Sequence, residues 1–173
     1  IDTEVLIIDH SSDLDQSKLK IPKNINLKII KNQNLGNGAG INCGIKNSKT
    51  RYVLYLDIDT ILPKNFFSKL ENSLKVIKEF AVVAPKIDNF YNEKKIDSFG
   101  NLSLLKYLYN KIFFNLKKNK DLSENLKQVF FVSGSIMLID KEVISKKGIK
   151  FDENIFLFFE EDDFFHQCFK SKL

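Results

Sequence analysis

Short apolar runs, each about the length of one strand, punctuate the first half of this chain at residues 4–8, 27–31, 52–57 and 80–84. Runs of that length, bounded by polar residues, read as strands, and the last is stopped by Pro85. Helical stretches separate them. One is a short segment ending near Asn47. Another runs from Phe66 to Ile77, with Phe66, Phe67, Leu70, Leu74 and Ile77 at helical spacing. Strands alternating with helices predict an α/β chain with a largely parallel sheet. A length of 173 residues suits one domain, and 43% hydrophobic content with 16 Phe suffices for a packed core. Ligands in such sheets bind beyond the carboxyl ends of the strands.

Two strand ends carry carboxylates. The run that starts at Tyr52 ends in Asp57-Ile58-Asp59. Residues i and i+2 of a strand share a face, so both acids are expected to project together where a buried strand reaches the surface. That arrangement suits a hard divalent cation with positions left for a phosphate-bearing substrate. The plain alternative is a pair of acids opening a turn before Pro63. Asp9 ends the first run, followed by His10-Ser11-Ser12-Asp13. It reads either as a carboxylate against a ribose or base, or as a turn with capping side chains. The loop Asn34 to Gly40 is rich in glycine but is not G-x-G-x-x-G, because Ile41 stands at the third glycine position. It reads as a flexible loop or as backbone passing close to a nucleotide, with Asn42 on the following helix.

In the second half, Val129 to Ile139 reads as a long strand interrupted by Ser133-Gly134-Ser135. Glu160-Glu161-Asp162-Asp163 is flanked by aromatics on both sides. Crowded carboxylates near apolar surface raise the pKa of at least one, making it a better base near neutral pH. An acidic first turn of a helix is also favoured by the helix dipole, and both can hold at once. Residues 102–120 interleave Leu, Tyr and Phe with Lys106, Lys111, Lys117, Lys118 and Lys120. They read as a helix with aromatics in the core, or as an amphipathic surface that meets a membrane.

Composition excludes some classes. Cys43 and Cys168 have no C-x-x-C spacing and read as small apolar residues in a reduced setting. With His10 and His166 as its only histidines, the chain cannot build a His-rich metal site. A net charge of +5 suits a polyanionic partner without choosing among nucleotide phosphates, anionic lipid and nucleic acid. No apolar stretch is long enough to span a membrane. The chain enters a strand pattern almost at Ile1 and ends in a helix-like segment at Leu173, so it reads as cut at both ends.

Taken in order, these pieces resemble one family. They are Ile7-Ile8-Asp9-His10-Ser11-Ser12-Asp13, the spacing of Asn34, Gly36, Gly38, Asn42 and Gly44, and Tyr52 to Asp59. Later come Ser133-Gly134-Ser135-Ile136-Met137-Leu138-Ile139, Phe151-Asp152-Glu153 and Phe158 to Asp163. The chain resembles a family 2 glycosyltransferase of the GT-A, nucleotide-diphospho-sugar transferase fold, closest to rhamnosyltransferase-like members. That fold has a Rossmann-like, mostly parallel central sheet flanked by helices, here as a single catalytic domain over residues 1–173. The resemblance implies an inverting, metal-dependent hexosyltransferase in bacterial surface polysaccharide synthesis. Its donor would be a UDP- or dTDP-linked sugar, its acceptor a glycan or lipid-linked saccharide, and its cofactor Mg²⁺ or Mn²⁺. The implied setting is cytoplasmic, with peripheral contact at the inner face of the membrane and no nucleic-acid partner. By matching position, Asp9, His10, Gly36, Asn42 and Asp57 would contact the nucleotide, and Asp59 would bind the metal. Gly134, Ser135 and Glu160 would shape the donor–acceptor pocket. Glu161 would be the catalytic base, and Asp163 the last acid of that motif. The family's first strand would precede Ile1, and an acceptor-side region would follow Leu173. His10 stands where Asn or Asp is common, and Gln167 where Arg is common.

Rival readings stay open on the residues alone. A response-regulator receiver would use Asp9, a phosphorylated Asp57 and Lys86 after Ala84-Pro85, but His10 replaces its second acid and the motifs beyond residue 129 go unused. A non-catalytic sugar- or lipid-binding relic would keep the fold and lose the chemistry. A nucleotidyltransferase would need a glycine-rich, Arg- or Lys-bearing triphosphate loop, and none stands near Ile1.

Overall fold

The computed structural model describes residues 4–11, 14–15, 19–87, 99–100, 121–123 and 126–173. β1 (Glu4–Asp9) and β2 (Asn26–Lys31) pair in parallel, with Glu4 opposite Asn26 and Asp9 opposite Lys31. In β2, Leu27 and Ile29 turn partly inward while Lys28 and Lys31 stay exposed, as expected of a strand with one wet face. The chain then turns at Gly36, whose φ is +104°. A Cβ there would overlap the Phe156 carbonyl, and the Asn37 N–H donates to that carbonyl at 3.1 Å. Glycine at this position lets α1 (Asn37–Asn47) start against the segment that precedes the acidic motif.

β3 (Tyr52–Leu56), α2 (Phe66–Leu74) and β4 (Val82–Val83) follow. Two-stranded antiparallel ladders come next, joining β5 (Phe99–Gly100) to β8 (Phe131–Val132) and β6 (Asp121–Ser123) to β7 (Leu126–Lys127). β9 (Ile136–Asp140) lies between β3 and β4, antiparallel to both, with Leu56 opposite Ile136 and Val83 opposite Leu138. β3 and β4 therefore run the same way, as a strand–helix–strand unit requires, but a late strand is wedged between them. The expected mostly parallel central sheet is thus corrected. Among the described residues parallel pairing is confined to β1 and β2, and the sheets are small and partly antiparallel. Alternation of strands with helices sets the direction of successive strands, not what inserts between them.

Every residue of β9 is buried, which explains its unbroken apolar run. α3 (Lys141–Lys146) follows directly, and α4 (Glu160–Lys170) packs Phe164, Phe165 and Cys168 into a core with Ile41, Met137, Ile139 and Ile144. Phe151 stacks on Phe164 with ring centroids 4.2 Å apart. Burial pushes the Cys168 thiol up to about 12, consistent with a small core residue. The strand expected over 129–139, interrupted at Ser133-Gly134-Ser135, is β8 and β9 with a turn at Gly134 and Ser135 between them. α2 stops at Leu74, short of Ile77, and Phe67 is 60% exposed while Phe66 is buried. Neighbouring helical residues point about 100° apart, so one apolar face could not take both. Among the described residues, no helix is long and apolar enough to cross a membrane. The Lys-rich stretch 102–120 lies outside the described residues.

Candidate functional site

β3 ends at Leu56, and Asp57 to Thr60 form a turn closed by the Thr60 N–H donating to the Asp57 carbonyl at 3.1 Å. The extended geometry expected to align Asp57 with Asp59 therefore stops short of both. Asp57 stays tied to the sheet, its N–H donating to the Ser135 carbonyl at 3.0 Å, while Asp59 is exposed on the turn. Ser135 thus anchors the strand end, and its carbonyl also accepts from the Thr60 hydroxyl at 3.4 Å.

A chain of side chains connects this turn to α4. The Tyr55 hydroxyl lies 2.5 Å from Asp57 Oδ1 and 3.0 Å from Asn37 Oδ1. Asn37 Nδ2 donates to Glu160 Oε1 at 3.0 Å. Glu160 is 2% exposed, and its Oε2 is buried with no hydrogen-bond partner. Burial, with Asp57 beside the ring, pushes the Tyr55 hydroxyl well above the ordinary phenol range, so it stays protonated. Sequence reasoning passed over Tyr55 and Asn37. The signal for Tyr55 was available: it stands two residues before Asp57, on the same face of the strand. Asn37 carried no such signal, because its partners are distant in sequence.

Glu161 lies next to this chain, partly buried. Its side chain covers Gly134 so closely that a Cβ on Gly134 would overlap Oε1. Burial pushes its carboxyl above the ordinary 4.5, and the charges of Glu160, Asp162 and Asp57 act in the same direction. The crowded acid expected from the sequence is thus Glu161. Phe158 and Phe159, just before it, have left-handed backbone at φ 63° and 67° and are 70% and 72% exposed. The fold therefore brings Asp57, Gly134, Ser135, Glu160 and Glu161 together.

Other expected residues sit elsewhere. Asp9 ends β1 at 6% exposure, and its Oδ1 accepts from the Ser11 N–H at 2.9 Å and the Ser11 hydroxyl at 2.7 Å. Those bonds hold its carboxyl below the ordinary 3.8 despite burial. Asp9 thus closes a local turn with Ser11 and caps no helix among the described residues, and its Oδ2 and the neighbouring His10 Nε2 are both buried without hydrogen-bond partners. The His10 ring packs on Gly40 of α1. Asn42 gives both amide hydrogens away, to the Phe151 carbonyl and Glu153 Oε1, each at 2.9 Å, and accepts from the Phe151 N–H at 3.2 Å. Its amide is spent holding 151–153 against α1. Asp163 Oδ2 accepts from Gln167 at 2.7 Å, and Gln167 also donates to the Lys150 carbonyl at 2.9 Å. Gln167 thus ties the helix to the preceding segment. Among the described residues, no group of three or more His, Cys, Asp or Glu side chains could hold a metal alone.

No curated protein matches this chain. The family comparison does find a match: the glycosyl transferase family 2 pattern covers residues 1–147, most of the chain, so this chain belongs to glycosyl transferase family 2.

Proposed function

We propose that this glycosyltransferase moves a hexosyl group from a UDP- or dTDP-linked donor to a hydroxyl of a glycan or lipid-linked acceptor, with inversion. The observation that carries this reading is Glu161, a half-buried carboxyl with a raised proton affinity, set against Gly134 and within electrostatic reach of Asp57. The family match ends at residue 147, so the role of Glu161 rests on this geometry and on the motif around it. Glu161 as base takes the proton of the acceptor hydroxyl. The hydroxyl oxygen then bonds to the anomeric carbon while the bond to the diphosphate oxygen breaks on the opposite face, which inverts that centre. The resemblance to rhamnosyltransferase-like members supports an acceptor of the surface-polysaccharide kind. Family membership displaces the receiver and nucleotidyltransferase readings.

Family 2 enzymes typically use a divalent metal. The donor set fits one: Asp59 is exposed on the turn beside Asp57, with no third protein ligand among the described residues. Mg²⁺ commonly takes one or two carboxylates and completes its shell with substrate phosphates and water. Asp59 would hold it, and when bound it would supply neutralisation of the charge growing on the leaving diphosphate.

Calorimetric titration of UDP and dTDP into the folded protein, with and without Mn²⁺, tests the reading. Saturable binding that requires Mn²⁺ and is lost in Asp59→Ala is expected. Absence of binding by the wild type would turn the interpretation to a non-catalytic relic. Unchanged metal-dependent affinity in Asp59→Ala would remove the metal assignment alone.

A further inference from the structure

We infer that Tyr55 and Asn37 are positioning residues that link the donor end of β3 to the first turn of α4. The inference rests on the glycosyltransferase reading of Glu161. The two elements that carry the site's acids are far apart in sequence, and these polar side chains connect them. Tyr55 reaches Asp57 and Asn37, and Asn37 reaches Glu160, the residue before Glu161.

The hydroxyl of Tyr55 has one proton and two oxygens to give it to. The hydroxyl keeps its proton and donates the shorter hydrogen bond to Asp57 Oδ1, because a carboxylate is the stronger acceptor. When a hydroxyl of the sugar-nucleotide engages Asp57 Oδ1, the Tyr55 hydroxyl turns to Asn37 Oδ1. Asn37 is then held at both ends, by Tyr55 and by Glu160, and the start of α4 is fixed. Occupancy of the strand end thereby orders the turn that carries Glu161. Glu160 suits such a link because its one bonded oxygen depends on the neutral Asn37 amide, while its other oxygen is buried without a partner. Weakening the amide therefore acts directly on this residue.

Steady-state transfer kinetics on the full chain, paired with denaturant unfolding, test the inference. Tyr55→Phe removes one hydrogen bond and should lower kcat about tenfold while leaving donor KM within about twofold. Asn37→Asp places a carboxylate between Asp57 and Glu160 and should lower kcat about a hundredfold. Combining Asn37→Asp with Glu160→Gln restores a donor–acceptor pair of reversed polarity and should recover most of the stability that Asn37→Asp alone loses in unfolding. A side chain that merely fills space would show no such rescue. Wild-type kcat in Tyr55→Phe, or no recovery in the double variant, would overturn the inference. In unfolding, Tyr55→Phe and Asn37→Ala should be non-additive, whereas additive effects would overturn the link. If the wild type transfers no sugar yet these variants are coupled in unfolding, the glycosyltransferase reading fails and the physical link stands.

Discussion

Asp140 and Glu160 are both carboxylates almost wholly withdrawn from water, at 1% and 2% exposure, yet they are treated in opposite ways. Asp140 receives the Arg51 guanidinium through Nε at 3.1 Å and Nη2 at 2.7 Å, and also caps α3 by accepting from the Glu142 and Val143 N–H groups. Burial alone would raise its pKa, but Arg51 and those backbone bonds outweigh burial and hold it below the ordinary 3.8. Glu160 has one bond from a neutral amide and one oxygen with nothing. A buried acid whose charge is matched on every side serves the fold. One left half-satisfied beside a second acid, Glu161, is costly to keep and contributes to the crowding that raises Glu161.

The contrast predicts separable losses. Glu161→Gln should reduce transfer about a thousandfold while nucleotide affinity stays near wild type, the scale expected for a missing general base. Single-turnover assays beside UDP titration would check it, and wild-type turnover would remove Glu161 from the base role. Gly134→Ala should cost about a hundredfold in transfer, because the new methyl displaces the carboxylate, and about 1–2 kcal/mol in stability, because the Glu161 stem must shift with it. Equal damage to both would mean that Gly134 serves the fold instead.

Asp140→Ala should do the reverse. It removes a helix cap and one half of a buried ion pair whose Arg51 partner remains 46% exposed, so a loss of roughly 2–3 kcal/mol is expected in urea unfolding. The folded fraction should keep wild-type kcat.

The smallest effect is one of sign in the pH dependence. Asp140 has a lowered folded pKa, so its stabilisation is full above its ordinary 3.8 and is lost as pH falls through the lower folded value. Glu161 has a raised folded pKa, so the folded state loses stability as pH rises from the ordinary 4.5 through the higher folded value. Glu161→Gln should therefore be more stable than wild type at neutral pH. The acid limb of the wild-type transfer profile should lie above pH 4.5, because the base works deprotonated. A limb at or below that value would contradict the crowding of Glu161.

Local pattern carried much of this molecule. The apolar run before Asp9, the helix up to Asn47 and the acidic first turn of α4 were all legible because each depends on neighbours within a few residues. The sheet was less so. The stretch Val129 to Ile139 read as strand on both sides of its break, but the place of β9 between β3 and β4 depends on a long return of the chain that no local period records. Phe67 shows the same limit within a helix, since spacing placed it on one apolar face with Phe66 and its direction in the helix left it exposed.

In the site, motif order singled out Asp57, Gly134 and Glu161 as candidates through the family resemblance, while each acid on its own also suited a turn or a helix start. What joins them was decided by tertiary structure. Asn42 read as a nucleotide contact and its amide bonds Phe151 and Glu153, while Tyr55, given no role, and Asn37, read only as part of the glycine-rich loop, bridge the acids. Hydrogen-bond partners separated by more than a hundred residues, such as Asn37 and Glu160, are chosen by the packing of α1 against α4. Sequence by itself determined which chemistries this chain could hold. Only the fold decided which side chains meet, because meeting depends on distances that the order of residues does not contain.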